Sequence, residues 1–296
     1  MLGVWRLQLL REVARRGSVR AAAEALSITA SAVSQQLRIL ESEAGAKLLE
    51  PQGRGVRLTE VGARLVEHAD TILAAIEAAE SDLAAAREEV SGTLRVAAFP
   101  TAARAILPAV IADLGRAHPA LRVTLRDLET DESLAAVRRD EVDLAVVDEY
   151  PEARIRETGI DLEPLLEDPL VLAVPPGMAG LEAPVAIADL ADASWIMDTE
   201  ASTIYRAVVR HCRSAGFEPR VRSNCRDYSV IIALVEAGLG VALLPGLALR
   251  DRETRARLVP IEPPLRRRVL VASKPERRAR PAVAAMVAAL RERPGS

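Results

Sequence analysis

One predicted helix near the N-terminus carries side chains of the types that read DNA. Its polar side consists of Ser31, Ser34, Gln35 and Arg38. Its apolar side consists of Val33, Leu37 and Leu40, which recur at the three- and four-residue spacing of an amphipathic helix. Serine, glutamine and arginine side chains hydrogen-bond base edges and phosphates, so the pattern predicts a helix that enters a major groove.

The elements around this helix are those that would hold it against a duplex. Residues 18–26 and 29–41 form two helical patterns separated by two residues, which is the spacing of a helix-turn-helix. Thr29 is predicted to cap the second helix, and a glycine-flanked hairpin carrying Arg54 and Arg57 forms a wing that reaches phosphate or the minor groove. The predicted DNA-binding residues are Arg20, Thr29, Ser31, Ser34, Gln35, Arg38, Arg54 and Arg57.

The charge distribution agrees with a local DNA-binding module. The chain has a net charge of −3, but residues 1–60 carry nine Lys and Arg against six acids, whereas residues 61–90 carry two against seven. A basic segment on an acidic protein fits DNA binding at one end and argues against general affinity for polyanions.

A long helix is predicted to follow the wing, from residue 59 to about residue 89. Apolar residues recur along it at alternating spacings of four and three, which is a heptad seam. The seam consists of Leu65, Ala69, Ile72, Ile76, Ala79, Leu83, Ala86 and Val90. A long thin apolar stripe of this kind favours pairing with a second chain, and such pairing would set the spacing of two DNA half-sites.

From residue 91 onward the pattern changes to strands alternating with helices. Half of the chain is hydrophobic and only 2% is aromatic, so the core is expected to be aliphatic. The order of elements predicts a mostly parallel sheet with helices on both faces, in two α/β lobes. Lobe I is expected to span about 91–160 and 265–292, and lobe II about 161–264.

Polar residues at the carboxyl ends of these strands mark a candidate ligand cleft. Ligands of open α/β sheets bind there, where helix N-termini favour anions. The predicted effector-binding residues are Thr101, Ala102, Asp148, Ser202, Thr203, Asn224 and Cys225, with Arg104, Arg206 and Arg226 within a turn of the predicted caps. The effector is expected to be a small anion, unless Asp148 and Glu149 line the cleft and favour an amine or hydroxyl groups.

Signatures of catalysis and of metal binding are absent from the sequence. There is no nucleophile elbow, no phosphate-binding loop and no metal-spaced group of His and Cys, so we predict neither an enzyme nor a cofactor. No apolar run reaches the length of a membrane helix, and Arg6 and Arg11 interrupt the N-terminal apolar stretch. We therefore expect a cytoplasmic protein.

The whole chain resembles the LysR-type transcriptional regulators. The N-terminal likeness is carried by Gly17-Ser18, Ala21-Ala22, Leu26, Ala32-Val33-Ser34, Leu40-Glu41, Gly45, Lys47-Leu48, the run from Gly53 to Thr59, and Gly62. Two positions depart from the family pattern. Ala30 stands where the family often has Gln, and Leu49-Glu50-Pro51 stands where it usually has Phe and then Arg. Each departure removes one expected contact to DNA.

The resemblance implies a winged helix-turn-helix domain at 1–58, a linker helix at 59–90 that dimerises the chain, and an effector-binding domain at 91–296 similar to periplasmic binding proteins. It also implies a small-molecule effector between the lobes, an operator in double-stranded DNA, a homodimer or homotetramer, and RNA polymerase as a partner.

Two alternative functions remain open from the sequence. In the first, a regulator of this family is switched by oxidation of Cys212 and Cys225, the only cysteines. In the second, the two lobes are a solute-binding or enzymatic α/β protein, and the N-terminal helices do not bind DNA.

Overall fold

The computed structural model describes residues 1–26, 28–52, 55–85, 90–178, 180 and 182–292. The chain divides into two compact units, Met1–Leu83 and Ala84–Ser296. Within the described ranges, no helix combines the length and the apolar character needed to cross a bilayer.

Three helices, α1 Val4–Arg16, α2 Val19–Ala25 and α3 Ala30–Ala44, form the first unit together with a hairpin and part of a fourth helix. Each boundary has a local cause. Gly17 ends α1 in the left-handed conformation at φ 65°, and Ser18 caps α2 by accepting from the Ala21 amide at 3.2 Å. Thr29 caps α3 in the same way, through the Ala32 amide at 3.2 Å. The predicted helix-turn-helix is confirmed.

The predicted wing is an antiparallel hairpin of β1 Leu49–Gln52 and β2 Gly55–Leu58. Its base is anchored to α1, because the Val56 amide donates to the Gly17 carbonyl at 3.1 Å. A side chain at Gly55 would meet the same carbonyl at 2.5 Å, so only glycine permits this close approach. The predicted contact Arg54 lies outside the described residues.

Helix α4, Glu60–Ala85, packs against its own unit with some residues of the predicted heptad seam. Ala69 is fully buried with the core of the first unit, and Leu65 packs against that core. Val90 packs against the core of lobe I instead. Residues at both ends of the predicted seam therefore pack within their own units, and the prediction of an uninterrupted seam from 65 to 90 was wrong there. Between them Ile72 is 39% exposed and Ala79 is exposed, while Ala86 and the side chain of Leu83 lie outside the described residues.

Lobe I of the second unit is a mixed sheet. Its strands are β3 Gly92–Ala98, β4 Leu121–Asp127, β5 Leu144–Glu149, the first part of β6 Asp161–Val174, and β13 Arg266–Ser273. β3 pairs in parallel with both β4 and β5, as βαβ units require. β13 is antiparallel to β5 and to β6, so the sheet is parallel only over its first three strands.

Strand β6 crosses from one lobe to the other. Its residues 161–169 pair with β13, whereas Leu170–Val174 pair with β10 Ala242–Pro245 and β11 Arg257–Val259 in lobe II. The predicted start of lobe II at residue 161 therefore lies within the lobe I sheet. The remaining strands of lobe II are β7 Val185–Ala186, β8 Ser194–Met197, β9 Arg220–Asn224 and β12 Ile261–Glu262.

Helices cover the sheets and supply the edges of the cleft between the lobes. They are α5 Pro100–Ala105, α6 Leu107–Ala117, α7 Thr130–Arg138, α8 Thr203–Ser214, α9 Tyr228–Glu236, α10 Gly246–Leu249, α11 Pro275–Arg278 and α12 Pro281–Glu292. The buried clusters are dominated by Leu, Val, Ile and Ala, as the composition predicted. α7 and α8 start on facing sides of the cleft, one from each lobe.

Gly62 in α4 offers a test of packing in the first unit. A methyl group there would overlap the Leu48 carbonyl oxygen, whereas one at Gly115 in α6 would meet open space. We expect Gly62→Ala to lower the free energy of unfolding of the first unit by about 1–3 kcal/mol. Gly115→Ala should raise that of the second unit by about 0.5–1 kcal/mol, because alanine favours a helix. Urea denaturation measures both, and a neutral Gly62→Ala would contradict the packing.

Candidate functional site

The polar side of α3 is an exposed surface. Ser31, Gln35 and Arg38 are exposed and Ser34 is half-buried. The apolar side is held down by Val33, Leu37 and Leu40, all of which are buried. The helix therefore presents donors and acceptors outward from a fixed core, which is the arrangement of a recognition helix. Contact of these four residues with DNA stays a prediction.

Two other predicted DNA contacts have local roles in the free protein. Thr29 is exposed, and its hydroxyl is used as the cap of α3. The Arg20 guanidinium donates to the Glu24 carboxylate one turn along α2 at 3.0 Å, and both side chains are largely exposed. Exposed pairs of this kind are weak, so a phosphate can displace Glu24 without a large loss.

The wing carries less free positive charge than its arginines suggest. Arg57 and Glu50 are cross-strand partners in the hairpin, and their side chains form an ion pair at 2.6 Å. Glu50 stands at one of the positions where the chain departs from its family pattern. The acid that replaces a basic residue thus also neutralises a neighbouring arginine.

Asp148 lies at the centre of the cleft between the lobes. Its buried carboxylate accepts from the Thr130 hydroxyl of lobe I at 2.5 Å. The Thr203 hydroxyl of lobe II lies 2.9 Å from both carboxylate oxygens. One carboxylate therefore joins the first residues of α7 and α8 across the cleft.

Arg267, which the sequence analysis did not select, holds this centre together. The side chain is 2% exposed, and its guanidinium donates to Asp168 at 2.7 and 2.9 Å and to Asp148 at 3.1 Å. It also donates to the Thr101 hydroxyl at 2.7 Å and lies 4.7 Å from the Phe99 ring centre. Burial disfavours the charge, but the two carboxylates outweigh it and keep the pKa of Arg267 above its ordinary value.

The only sequence signal for Arg267 was its place in a strand. In the run Arg266-Arg267-Arg268, the alternation of β13 turns the middle residue inward, as the burial of Leu265 and Val269 on either side shows. A buried arginine requires buried carboxylates, and only the folded chain identifies them as Asp148 and Asp168.

Several predicted effector residues serve the fold. Thr101 was expected to cap α5, but the cap position is Phe99, and the Thr101 hydroxyl accepts from Arg267 instead. Ala102 is fully buried with the core of lobe I. Ser202 is the cap of α8: its hydroxyl accepts from the Tyr205 amide at 3.2 Å and donates to the Thr199 carbonyl at 2.8 Å.

Asn224 and Cys225 lie at the end of β9. The Asn224 amide donates to the Asp198 carbonyl at 3.0 Å, and the Cys225 amide donates to the Met197 carbonyl at 2.9 Å. These contacts secure β9 to the turn after β8. Ligand binding by either residue stays a prediction.

A second group of acids lies beside this centre. Burial, followed by the charges of Asp198 and Asp148, raises the pKa of Glu129 to about 7. Burial also raises the pKa of Asp198, although the Thr199 amide and the Tyr228 hydroxyl bond to its carboxylate. Arg226 is the cation whose charge acts on both carboxylates.

A cavity of about 240 Å³ lies beside the Asp148–Thr203 contact, and both residues line it. It is bounded by α7, by the segment that follows β5, and by α8. At its rim, Arg206 of α8 forms an ion pair with Asp131 of α7 at 3.0 Å. Of the predicted effector residues, the fold brings Asp148 and Thr203 to this cavity.

The structure does not favour a cysteine switch. Cys212 is fully buried in α8, and burial raises the pKa of its thiol to about 12. A thiol that keeps its proton is a poor nucleophile toward peroxide. Cys225 packs against a different core cluster of lobe II, so the two side chains serve separate cores.

The raised pKa of Glu129 predicts a pH-dependent stability. The folded pKa of about 7 exceeds the ordinary value of 4.5, so the folded state favours the protonated form. This stabilisation is complete below about pH 4.5 and is lost as the pH rises through 7. Between pH 5 and pH 8 the free energy of unfolding should fall by about 1–2 kcal/mol more in the wild type than in Glu129→Gln, because solvent screens a partly exposed carboxyl.

Glutamine is a suitable replacement because it keeps the oxygen with which Glu129 caps α7. Urea titrations of both proteins at the two pH values measure the difference. Parallel losses in the two proteins would show that Glu129 is not the titrating group.

Comparison with known proteins covers both units. The model of the bacterial regulatory helix-turn-helix protein, lysR family, matches residues 5–63, and that of the LysR substrate binding domain matches residues 87–295. A transcriptional dual regulator, GltC of Bacillus subtilis, is 30% identical over 92% of this chain and 90% of its own length. A probable hydrogen peroxide-inducible genes activator of Mycobacterium avium is 32% identical over 83% of this chain and 78% of its own length.

The fold has matches among solved structures. Full-length CbnR complexed with its target DNA superposes with a TM-score of 0.73 at 24% identity, over 98% of this chain and 99% of that one. The two family models together span nearly the whole sequence, and the relatives that match over most of their length are regulators of transcription. This chain belongs to the LysR family of bacterial transcriptional regulators.

Proposed function

We propose that this regulator reads its operator with the exposed face of α3 and responds to a small molecule bound between its lobes. The observation that carries the first half is the sidedness of α3. Ser31, Gln35 and Arg38 are exposed. On the apolar side, Val33, Leu37 and Leu40 are at most 5% exposed. Such a helix can enter a groove without any rearrangement of its own domain.

In this proposal, Gln35, Ser31 and Ser34 select among DNA sequences. A glutamine amide can bond an adenine through two hydrogen bonds, and serine accepts or donates to any base. Arg38, Arg20 and the wing supply contacts to phosphate, which position the helix and make the affinity depend on salt. Because Glu50 neutralises Arg57, the wing contributes less of that affinity than its two arginines suggest.

Pairing of two chains through α4 is the second part of the proposal. Val61 and Ile72 are 49% and 39% exposed, and eleven residues make just over three full turns, so both lie on one stripe of the helix. An apolar stripe on an exposed helix is stabilised by a second copy of itself. A dimer places two recognition helices on two half-sites, and a dimer of dimers would place four.

The response to an effector is the third part. The two lobes touch through Asp148 and Thr203 and through Asp131 and Arg206, beside a cavity that both lobes line. A ligand in that cavity makes contacts that depend on how far the lobes are closed. Differential affinity of this kind is what shifts a population of closed and open states. RNA polymerase is the proposed recipient of the change on DNA.

DNA recognition is tested by fluorescence anisotropy on a duplex from upstream of the protein's own gene, with a scrambled duplex beside it. We expect Gln35→Ala to reduce the preference for the native duplex by about 1–3 kcal/mol, because a base contact is lost. Arg38→Ala should weaken binding to both duplexes and lower the slope of log affinity against log salt by about 1, as expected for a phosphate contact.

Matched controls separate these effects from damage to the fold. Gln36 lies next to Gln35 on α3 but faces α1, where the Arg6 guanidinium donates to it at 3.4 Å. Gln36→Ala should leave the preference unchanged, and so should Arg116→Ala at an exposed site in the second unit. If Gln35→Ala and Gln36→Ala reduce the preference equally, α3 does not read bases through this face.

Pairing through α4 is tested by changing Ile72. We expect Ile72→Glu to shift the protein from dimer to monomer at micromolar concentration, because the substitution places like charges on both sides of the interface. Multi-angle light scattering after gel filtration measures the mass. Thr71→Glu adds the same charge one position away, off the stripe, and should keep the dimer. A dimer that survives Ile72→Glu would assign pairing to another surface.

A further inference from the structure

An acid stands on the side of α3 that is proposed to face DNA. Glu41 follows Ser34 by seven residues, which make almost two full turns, so the two side chains leave α3 in nearly the same direction. Arg38 lies on the same stripe, about one turn closer to the N-terminus. Phosphate repels a carboxylate, so an acid in this place weakens DNA binding unless it serves another purpose.

The Glu41 carboxylate binds the residues that lead into the wing. One of its oxygens accepts from the Leu48 amide at 3.0 Å and from the Leu49 amide at 3.4 Å. The other accepts from the Lys47 ammonium at 2.8 Å. Burial by itself would raise the pKa of Glu41, but the Lys47 ammonium and the two amides outweigh it and hold that pKa below its ordinary value. At neutral pH a charged carboxylate therefore connects the end of α3 to the start of the wing.

Leu48 is the point at which the wing is held from two sides. Its amide donates to Glu41, while its carbonyl accepts from the Thr59 amide, just before α4, at 3.0 Å. The Thr59 hydroxyl also donates to the Lys47 carbonyl at 2.7 Å. The bonds from Thr59 connect the wing to α4, whereas the bonds to Glu41 connect it to the recognition helix itself.

We infer that Glu41 is a positioning residue that fixes the wing relative to α3, so that both elements reach the duplex together. The inference rests on the proposed function, since it takes α3 and the wing to bind DNA. In this arrangement the carboxylate does not touch DNA, because donors of the wing occupy its oxygens. A wing released from α3 would keep Arg57 but lose the fixed distance at which that arginine meets phosphate, and such freedom lowers affinity.

The test is fluorescence anisotropy of the full chain on the native and scrambled duplexes across a salt series. Removal of a negative charge near DNA should, by electrostatics alone, strengthen binding. If Glu41 positions the wing, Glu41→Ala should instead weaken binding to both duplexes about three- to tenfold, as expected when an ordered contact becomes free. The slope of log affinity against log salt should fall by about 1, because a phosphate contact of the wing is lost. The ratio of the two affinities should change by less than about twofold, because the bases are still read by Gln35.

Glu43 provides the matched control. It lies two residues further along α3, and its side chain is 20% exposed against 14% for Glu41. It also accepts from a cation at 2.6 Å, but that cation is Arg6 of α1 and not a residue of the wing. Glu43→Ala removes the same charge and should leave both affinities unchanged or raised by less than about twofold. Equal weakening by Glu43→Ala and Glu41→Ala, or tighter binding by Glu41→Ala, would overturn the positioning role.

Two conservative variants separate the hydrogen bonds from the charge. Glu41→Gln keeps an oxygen for the two amides but loses the ion pair with Lys47, which is 79% exposed and therefore weakly held. We expect its affinities to lie within about threefold of the wild type, because the amides keep their acceptor. Glu41→Asp keeps the charge but is one methylene shorter, and it should resemble Glu41→Ala. If Glu41→Gln binds as weakly as Glu41→Ala, the hydrogen bonds to the amides do not position the wing.

Hydrogen exchange reports on the wing without DNA. In the full chain, peptides that cover residues 46–52 should exchange about tenfold faster in Glu41→Ala than in the wild type, because the wing opens locally. Peptides from α1 and α2 should exchange at unchanged rates. Faster exchange throughout the first unit would show that Glu41 stabilises the whole unit, and it would overturn a role confined to the wing.

The positioning role and the proposed function fail in different ways. If Gln35→Ala loses the operator preference while Glu41→Ala binds as tightly as the wild type, α3 reads DNA and the positioning role is wrong. If the wild type binds neither duplex even at low salt, the proposed function is wrong and the positioning role for DNA binding is wrong with it.

Discussion

The buried guanidinium of Arg267 is the interaction on which the effector-binding unit depends. It lies on β13 and binds Asp148 at the end of β5, Asp168 on β6 and Thr101 on α5. Without it, two buried carboxylates would face each other with no cation between them, which typically destabilises a protein by 3–5 kcal/mol. Strands β5, β6 and β13 and helix α5 are thus joined at one charged group.

The same Arg267–Asp148 pair also contributes to the contact between the two lobes. Asp148 is held rigidly by Arg267 and Thr130, and it presents its remaining acceptor capacity to Thr203 of the other lobe. One contact between the lobes is therefore a hydrogen bond to an oriented carboxylate, and hydrogen bonds of this type are strong but short in range. A small change in separation is enough to break it, and a ligand beside it can favour either state.

The cavity beside this contact follows from how the carboxylates are used. Each acid on its wall forms an ion pair with an arginine of the protein. Another group of acids, around Glu129 and Asp198, interacts with Asp148, and burial raises the pKa of both carboxyls.

The local patterns of the sequence were sufficient for the DNA-reading unit and for the type of each lobe. Caps at Ser18 and Thr29, glycines at 17 and 55, and the sidedness of α3 are set by neighbours within a few residues, and helical periodicity reports such neighbours directly. The cleft was different. Arg267 meets Asp168 and Asp148 from 99 and 119 residues away, and Arg210 and Tyr150 line one cavity only when α8 packs near the end of β5. Thr101, Ala102 and Ser202 were chosen as ligand contacts because they stand at strand ends, yet packing turned them to the core, to a cap or to an internal partner. Which polar group is left without a partner depends on every other pairing in the fold, so only the tertiary structure could decide it.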